Sequence, residues 1–296
     1  VITQEPGVPG VSTSPDRSPE LPQTIIQVGM LTRGKPTLGM ALTSLMLQEG
    51  IQVRVHLVDT AARPVIQRDD VRLALRLASD RKIQCTYDYA GESDRAFSAG
   101  KARVIRELDG PWLCLIDDDI VMASHTLRRM HERAALQGEF GYLSPQCVNA
   151  PRLESLPSAG SRCGVGSLIY QDGLVRRILS DYYDSTTDVL DQHKTEDKVW
   201  EPAFLTALFD LLGRPGIAVP QATIYHLDYQ DDPYWIDEEA RVLARSVQVA
   251  RQLVERARAN PAASRPTLSP RSLPGIIINH GPGLLARARR TLRFWI

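Results

Sequence analysis

The sequence predicts an α/β fold built on a doubly wound, mainly parallel sheet with a helical extension towards its C-terminal end. Three observations predict it. Short apolar runs alternate with stretches of helical apolar spacing over residues 24–122. The stretches between runs are long enough for crossover helices, which makes neighbouring strands parallel and the connections right-handed. Polar or acidic residues close the runs, at Thr32-Arg33, Asp59 and Asp117-Asp118-Asp119, at the strand ends where open α/β sheets bind ligands.

In chain order, residues 1–22 carry Pro6, Pro9, Pro15, Pro19 and Pro22 among Gly, Ser and Thr, a composition that predicts an extended or disordered arm. Residues 24–31 form the first strand and 32–36 its loop. Leu38, Ala41, Leu42, Leu45 and Met46 give the apolar face of a helix that Gly50 ends. Residues 51–58 form a second strand ending on Asp59, and helices over 71–79 and 98–108 bracket a strand over 82–87. Leu113-Cys114-Leu115-Ile116 reads as a buried central strand. Ser124 fits as the cap of a helix running through Leu127, Met130 and Ala134 to Gly138, and residues 140–144 fit a further strand. The Pro-, Asn- and Ser-rich stretch to Ser161 is loop.

Residues 163–170 lead a short strand into a helix around 173–179, with Gly164 and Gly166 serving either a tight turn or a ligand loop. Residues 181–195 are acidic and without period. An apolar helix over 202–212 is closed by Gly213, and whether Asp197 stands in its first turn or in the preceding loop is open. Residues 217–220 and 222–226 are extended, 235–258 form a long charged helix, and 260–274 are a Pro- and Ser-rich linker.

With 296 residues, 43% hydrophobic and 24% charged, the chain has enough apolar surface for one large domain with tails. Its 35 basic residues balance 35 acidic ones, so no global field argues for a nucleic-acid partner. Cys85, Cys114, Cys147 and Cys163 show no pairing motif and read as reduced thiols of a cytoplasmic protein. No run of about 18 apolar residues appears, and the start lacks the pattern of a signal peptide. The expectation is a soluble, cytoplasmic chain. Residues 284–296 mix Arg with Leu and aromatics. Such a tail is suited either to peripheral contact with the inner face of an anionic membrane or to docking as a terminal helix.

Asp117-Asp118-Asp119 is the chemical centre of the sequence. Three consecutive carboxylates behind a buried strand are costly unless a cation or hydrogen-bond donors meet them, and a divalent metal is the economical explanation. The bland alternative is a solvated acidic turn.

The ordered set of features resembles the family-2 type of GT-A glycosyltransferases. The pieces are Thr32-Arg33, Val58-Asp59, the helical Gly100-Lys101-Ala102-Arg103, Ile116-Asp117-Asp118-Asp119, a Glu196-Asp197 pair and His226 after a short strand. The resemblance spans about residues 24–226. It implies a GT-A catalytic domain over 23–230, with a nucleotide-binding half over 23–122 and an acceptor-side half over 123–230, then a helical extension over 231–259 and a tail over 260–296. It further implies a nucleotide-sugar donor carrying UDP, GDP or dTDP, and Mn²⁺ or Mg²⁺ as cofactor. Thr32 and Asp59 would contact the base, Lys101 or Arg103 the base or phosphates, and Arg33 would belong to the same nucleotide site. Asp117 would face ribose or metal, Asp118 and Asp119 would approach metal and diphosphate, and His226 would be a third metal ligand. Asp197, with Glu196 as competitor, matches the general base of an inverting enzyme.

The chemistry is consistent with those residue types. A diphosphate leaving group gathers negative charge that a carboxylate-held divalent cation neutralises, while the acceptor hydroxyl needs a carboxylate to take its proton. Thr195, Glu196 and Asp197 also fit an ordinary acidic helix start, and a histidine at this place leaves a retaining mechanism open. Two departures stand out: Asp59-Thr60-Ala61 replaces the family's acidic-Gly-Ser ending, and the familiar continuation after Asp197 is missing. A rival reading takes Asp117-Asp118-Asp119-Ile120-Val121 as the nucleophile motif of a haloacid-dehalogenase-like phosphatase, with Asp231-Asp232 as its later acidic motif. Against it, that motif normally follows the first strand. A catalytically silent nucleotide-binding scaffold is the third reading.

Overall fold

The computed structural model describes residues 24–93, 95–136, 140–150, 154–155, 163–191, 198–227 and 239–260. Its layers follow from the period-two alternation of strand side chains. In β1 (Ile25–Thr32), Ile26, Val28 and Met30 pack with Leu38 and Leu42 of α1 (Leu38–Met46) and with Val71 of α2 (Asp69–Asp80). Leu31 belongs to the core on the other face. There it joins Val104 and Ile105 of α3 (Ala96–Glu107), Tyr182 of α5 (Gly173–Ser185), Phe204 of α6 (Glu201–Leu211) and Leu253 of α7 (Glu239–Ala259). Two apolar cores on opposite faces of one sheet make the fold doubly wound.

β2 (Gln52–Asp59), β3 (Gln84–Tyr89) and β4 (Trp112–Asp117) complete a parallel half with β1. The register sets Thr32 opposite Asp59 and Leu31 opposite Asp117. The polar strand ends therefore share one edge. The second half is mixed. It consists of β5 (Ile120–Met122), β6 (Tyr142–Asn149), β7 (Glu154–Ser155), β8 (Leu168–Tyr170) and β9 (Gly216–His226). The strand order is β3-β2-β1-β4-β8-β6-β9-β5, with β7 on β6. β8 runs antiparallel to β4 and β6, β6 and β9 are parallel, and β5 is antiparallel to β9. The chain leaves β1 towards β2 on one side and returns to β4 on the other, so β1 and β4 flank the topological switch point.

Several boundaries differ from the sequence expectation for identifiable reasons. Residues 217–220 and 222–226 form one strand, because the β6 register jumps between Pro145 and Gln146 and leaves Pro220 without a pairing partner there. The helix α5 continues past Leu179 to Ser185, carried by the fully buried Tyr182 and Tyr183. Asp172 caps its start by accepting from the N–H groups of Leu174 and Val175 at 3.0 and 2.8 Å. Ser124 caps nothing: α4 (Thr126–Ala135) starts after His125, and the Ser124 carbonyl instead accepts from Glu49 N at 2.8 Å. α6 starts at Glu201 with Trp200 as its N-cap, so Thr195 is not the cap. The four cysteines are free, and burial pushes the Cys85 and Cys114 thiols up to about 12. Among the described residues no helix is long and apolar enough to cross a membrane. The Pro-rich arm, the Asp231-Asp232 pair and the basic tail of 284–296 lie outside the described residues.

The approach of α3 to β1 is tight at Gly29, where a Cβ would lie 2.0 Å from Cγ1 of Val104. Val104 is β-branched and stiff. Gly29→Ala is therefore expected to destabilise the fold by about 1–3 kcal/mol through overpacking. Urea unfolding measures this, and a wild-type midpoint would contradict the packing described.

Candidate functional site

β4 runs out into three carboxylates, and the strand alternation sends neighbours to opposite faces. Cys114 and Ile116 belong to the core under α1, and Leu113 and Leu115 to the core under α3. Asp117 continues the second set and meets Lys101 of α3, whose Nζ lies 3.0 Å from Asp117 Oδ1. Asp118 continues the first set and meets the loop after β1. Its Oδ2 accepts from Thr32 Oγ1 at 2.7 Å, Arg33 N at 3.1 Å and Lys35 N at 3.2 Å. Thr37 Oγ1 donates to the Asp118 carbonyl at 2.9 Å. Burial raises the Asp118 carboxyl above its ordinary range, opposed by these donors. Gly34 permits the turn, with φ +87°.

Asp119 is treated differently. Its Oδ2 is 2.6 Å from Lys35 Nζ, while its Oδ1 is buried with no hydrogen-bond partner among the described residues. His226 stands beside it through the sheet, since Ile120 pairs with His226 and Leu227 N donates to the Asp119 carbonyl at 2.9 Å. Each carboxylate of the triplet thus has its own partner set: the buried Asp117 Oδ1 faces the Lys101 ammonium, whereas the buried Asp119 Oδ1 faces no partner among the described residues. Carboxylate oxygens suit a hard divalent cation, which often takes only one or two protein carboxylates and completes its shell with phosphate and water. The unmet Asp119 Oδ1 and the partly exposed Asp117 fit that donor set. Among the described residues there is no group of three or more Cys, His, Asp or Glu side chains arranged to hold a metal by themselves.

Behind Asp117 lies a buried network that sequence reasoning did not single out. Lys101, 1% exposed, also faces Glu201 Oε2 at 3.8 Å. Tyr183 donates to the other oxygen of Glu201. Glu201 N donates at 3.0 Å to Asp188, and Asp188 N at 3.0 Å to Asp191. Asp191 in turn accepts from Phe97 N at 2.9 Å, Ser98 N at 3.2 Å and the Ser98 hydroxyl, closing the N-terminus of α3. Burial works to lower the Lys101 pKa, but Asp117 and Glu201 outweigh it and hold the ammonium above its ordinary value. Burial, and then the Glu201 charge, raise Asp188 well above the usual carboxylate range. The signal for Glu201 in sequence would have been an acidic residue just ahead of Pro202 on an apolar helix.

The other expected residues are placed as follows. Arg33 is exposed at the rim, and its guanidinium reaches the Leu190 carbonyl at 3.4 Å. Asp59 is 0% exposed, and its carboxylate accepts from Ala61 N, Val65 N and Tyr87 Oη at 2.9, 2.7 and 2.6 Å. Those bonds shape the loop after β2. Arg103 Nη1 donates to both carboxylate oxygens of Asp88 at 2.9 and 3.1 Å, on β3, which β2 and β1 separate from β4 and the triplet. Thr32, Arg33, Lys101, Asp117, Asp118 and Asp119 therefore gather at one edge with His226 alongside, whereas Asp59 and Arg103 are engaged further along it. Glu196 and Asp197 lie outside the described residues. The segment that contains them starts after Asp191 and ends before Val199, and Asp188 and Val199 form a bridge.

Removing the Lys101 charge should expose how much the network depends on it. Lys101→Met leaves Asp117 and Glu201 without their cation, and a loss of about 3–5 kcal/mol is expected. Glu201→Gln in the same chain should recover part of it. Urea unfolding of both variants decides, and a loss below about 1 kcal/mol, typical of surface pairs, would contradict the assignment.

No protein-family model matches the chain, and no curated protein matches its sequence. Solved structures match its fold. Residues 1–349 of S. aureus TarS in complex with UDP-GlcNAc align with a TM-score of 0.53 at 12% identity, over 79% of this chain and 71% of that one. The mannosyltransferase PcManGT from Pyrobaculum calidifontis, in complex with GDP-Man and Mn²⁺, aligns with a TM-score of 0.50 at 17% identity, over 81% and 75%. Against the longer S. aureus TarS structure the match covers 43% of that chain. The fold is that of the GT-A glycosyltransferases.

Proposed function

We propose that this chain is a metal-dependent glycosyltransferase that moves a sugar from a nucleoside diphosphate donor to an acceptor hydroxyl with inversion. The observation that carries the reading is the triplet at the β1/β4 switch point, with Asp119 Oδ1 buried and unmet. The fold shared with structures holding UDP-GlcNAc and GDP-Man supports it.

In this reading Asp119 and Asp117 would hold Mn²⁺ or Mg²⁺, with His226 as a third ligand. When bound, the cation would neutralise the charge that gathers on the departing diphosphate. Asp118 holds the loop 32–35 against the strand end and so fixes where Thr32 and Arg33 meet the nucleoside. Asp59 shapes the neighbouring loop through its bonds to Ala61 and Val65, and acts on the base through that loop. Lys101 orients Asp117 from below the site. Asp197 is the base that takes the acceptor proton as the new bond forms. The phosphatase reading is weaker, because the triplet closes β4, next to β1 in the sheet, with three strands preceding it in the chain.

Calorimetric titration with UDP, GDP and dTDP, each with Mn²⁺ and with chelator, tests the reading. One nucleotide is expected to bind with Mn²⁺ and to be lost with chelator, and binding of none would overturn it. Asp119→Asn should remove the metal-dependent part of that affinity. Asp197→Asn should keep donor binding and lower turnover by at least about a hundredfold, as expected for loss of a general base. Equal loss of donor affinity in both variants would contradict this division of roles.

A further inference from the structure

Lys35 lies outside the set of residues that the sequence marks, yet it touches two of the three carboxylates. Its N–H donates to Asp118, and its ammonium sits 2.6 Å from Asp119 Oδ2. The two partners are unequal in exposure: the Lys35 side chain is 39% exposed and that of Asp119 6%. The cation therefore stands on the solvent side of a buried carboxylate. The remaining oxygen of that carboxylate has no hydrogen-bond partner among the described residues, so the ammonium compensates one half of Asp119 and leaves the other open.

The charges around the triplet are not balanced. Lys101 is shared between Asp117 and Glu201, and neutral donors serve the Asp118 carboxylate. Among the described residues, Lys35 meets the charge of Asp119. Its backbone is anchored by Asp118 and by the turn at Gly34, while its four-carbon stem is flexible and ends in a compact point charge. Such a side chain can swing its ammonium between acceptors without moving the loop.

We propose that Lys35 is the site's own exchangeable cation. With no ligand it closes Asp119; a divalent cation competes with it for the same carboxylate; and a bound diphosphate takes over the displaced ammonium. The inference rests on the donor reading above for its diphosphate half, whereas the competition with metal requires only Asp119. Metal and ammonium then oppose each other on the bare protein. They cooperate once a bound diphosphate offers the ammonium an acceptor in place of Asp119.

The test is calorimetry on the full chain, wild type and Lys35→Gln, with Mn²⁺ alone, with pyrophosphate plus saturating Mn²⁺, and with UDP, GDP or dTDP plus Mn²⁺. Lys35→Gln is expected to bind Mn²⁺ alone about five- to tenfold more tightly, and pyrophosphate with Mn²⁺ about fivefold or more weakly, the usual range of site coupling. Lys35→Arg should return both values towards wild type. In an Asp119→Asn background the Lys35→Gln change should no longer alter Mn²⁺ binding. Unchanged or weaker Mn²⁺ binding by a Lys35→Gln protein of wild-type melting temperature would overturn the proposal and leave the donor reading intact. If Mn²⁺ and pyrophosphate behave as expected but no nucleoside diphosphate binds, the donor reading fails and the exchange stands. If wild type binds neither Mn²⁺ nor pyrophosphate, both are overturned.

Discussion

One carboxylate oxygen organises this site. Asp118 Oδ2 accepts from a hydroxyl and two main-chain N–H groups of residues 32–35, and so joins the end of β1 to the end of β4 across the switch point. A buried carboxylate without donors would be costly. With these three it becomes a fixed corner: the alternation of β4 sends Asp117 to the other face, towards Lys101, while Asp119 follows in the turn beyond the strand and meets Lys35. The middle residue of the triplet is the anchor, and its neighbours turn to Lys101 and Lys35.

What lies behind each end differs in kind. Asp117 backs onto a closed interior in which Lys101, Glu201, Tyr183, Asp188 and Asp191 link α3, α5 and α6. Most of that network is fully buried, so its charges are set by each other rather than by solvent. It also ties the edge with the triplet to Asp188, Asp191 and Val199, the described residues that flank positions 192–197 in the chain, with Asp188 bridging to Val199. Asp119 faces outward to a flexible cation and keeps an oxygen unmet. A rigid interior on one side and an exchangeable partner on the other is the arrangement expected of a site that must hold its scaffold still while ligands come and go.

The parts legible in sequence were those with local patterns. Apolar runs at strand period and helices at helical period predicted the parallel half, and the acidic triplet behind a buried strand predicted the edge where Thr32, Asp117, Asp118 and Asp119 meet. The misread parts depend on partners far along the chain. Residues 217–226 look like two strands until the β6 register shows a bulge that absorbs Pro220. Tyr182 and Tyr183 lie in an acidic stretch without period, and only packing against Phe204 and its neighbours makes that stretch helical. Lys35 and Glu201 sit in unremarkable local contexts, and their ion-pair partners, Asp119 and Lys101, are far along the chain. Asp59 was legible as a strand-end carboxylate, but its three acceptor bonds could not be read from spacing.

The account turns on Asp118 being an anchor while Asp119 is the ligand. Anomalous diffraction at the manganese edge, from crystals grown with Mn²⁺ and the nucleoside diphosphate that binds, tests this most directly. The account predicts a single strong peak in direct coordination with Asp119, with the bonds from Thr32, Arg33 and Lys35 to Asp118 intact. A peak coordinated by the Asp118 carboxylate, with residues 32–35 released from it, would contradict the account.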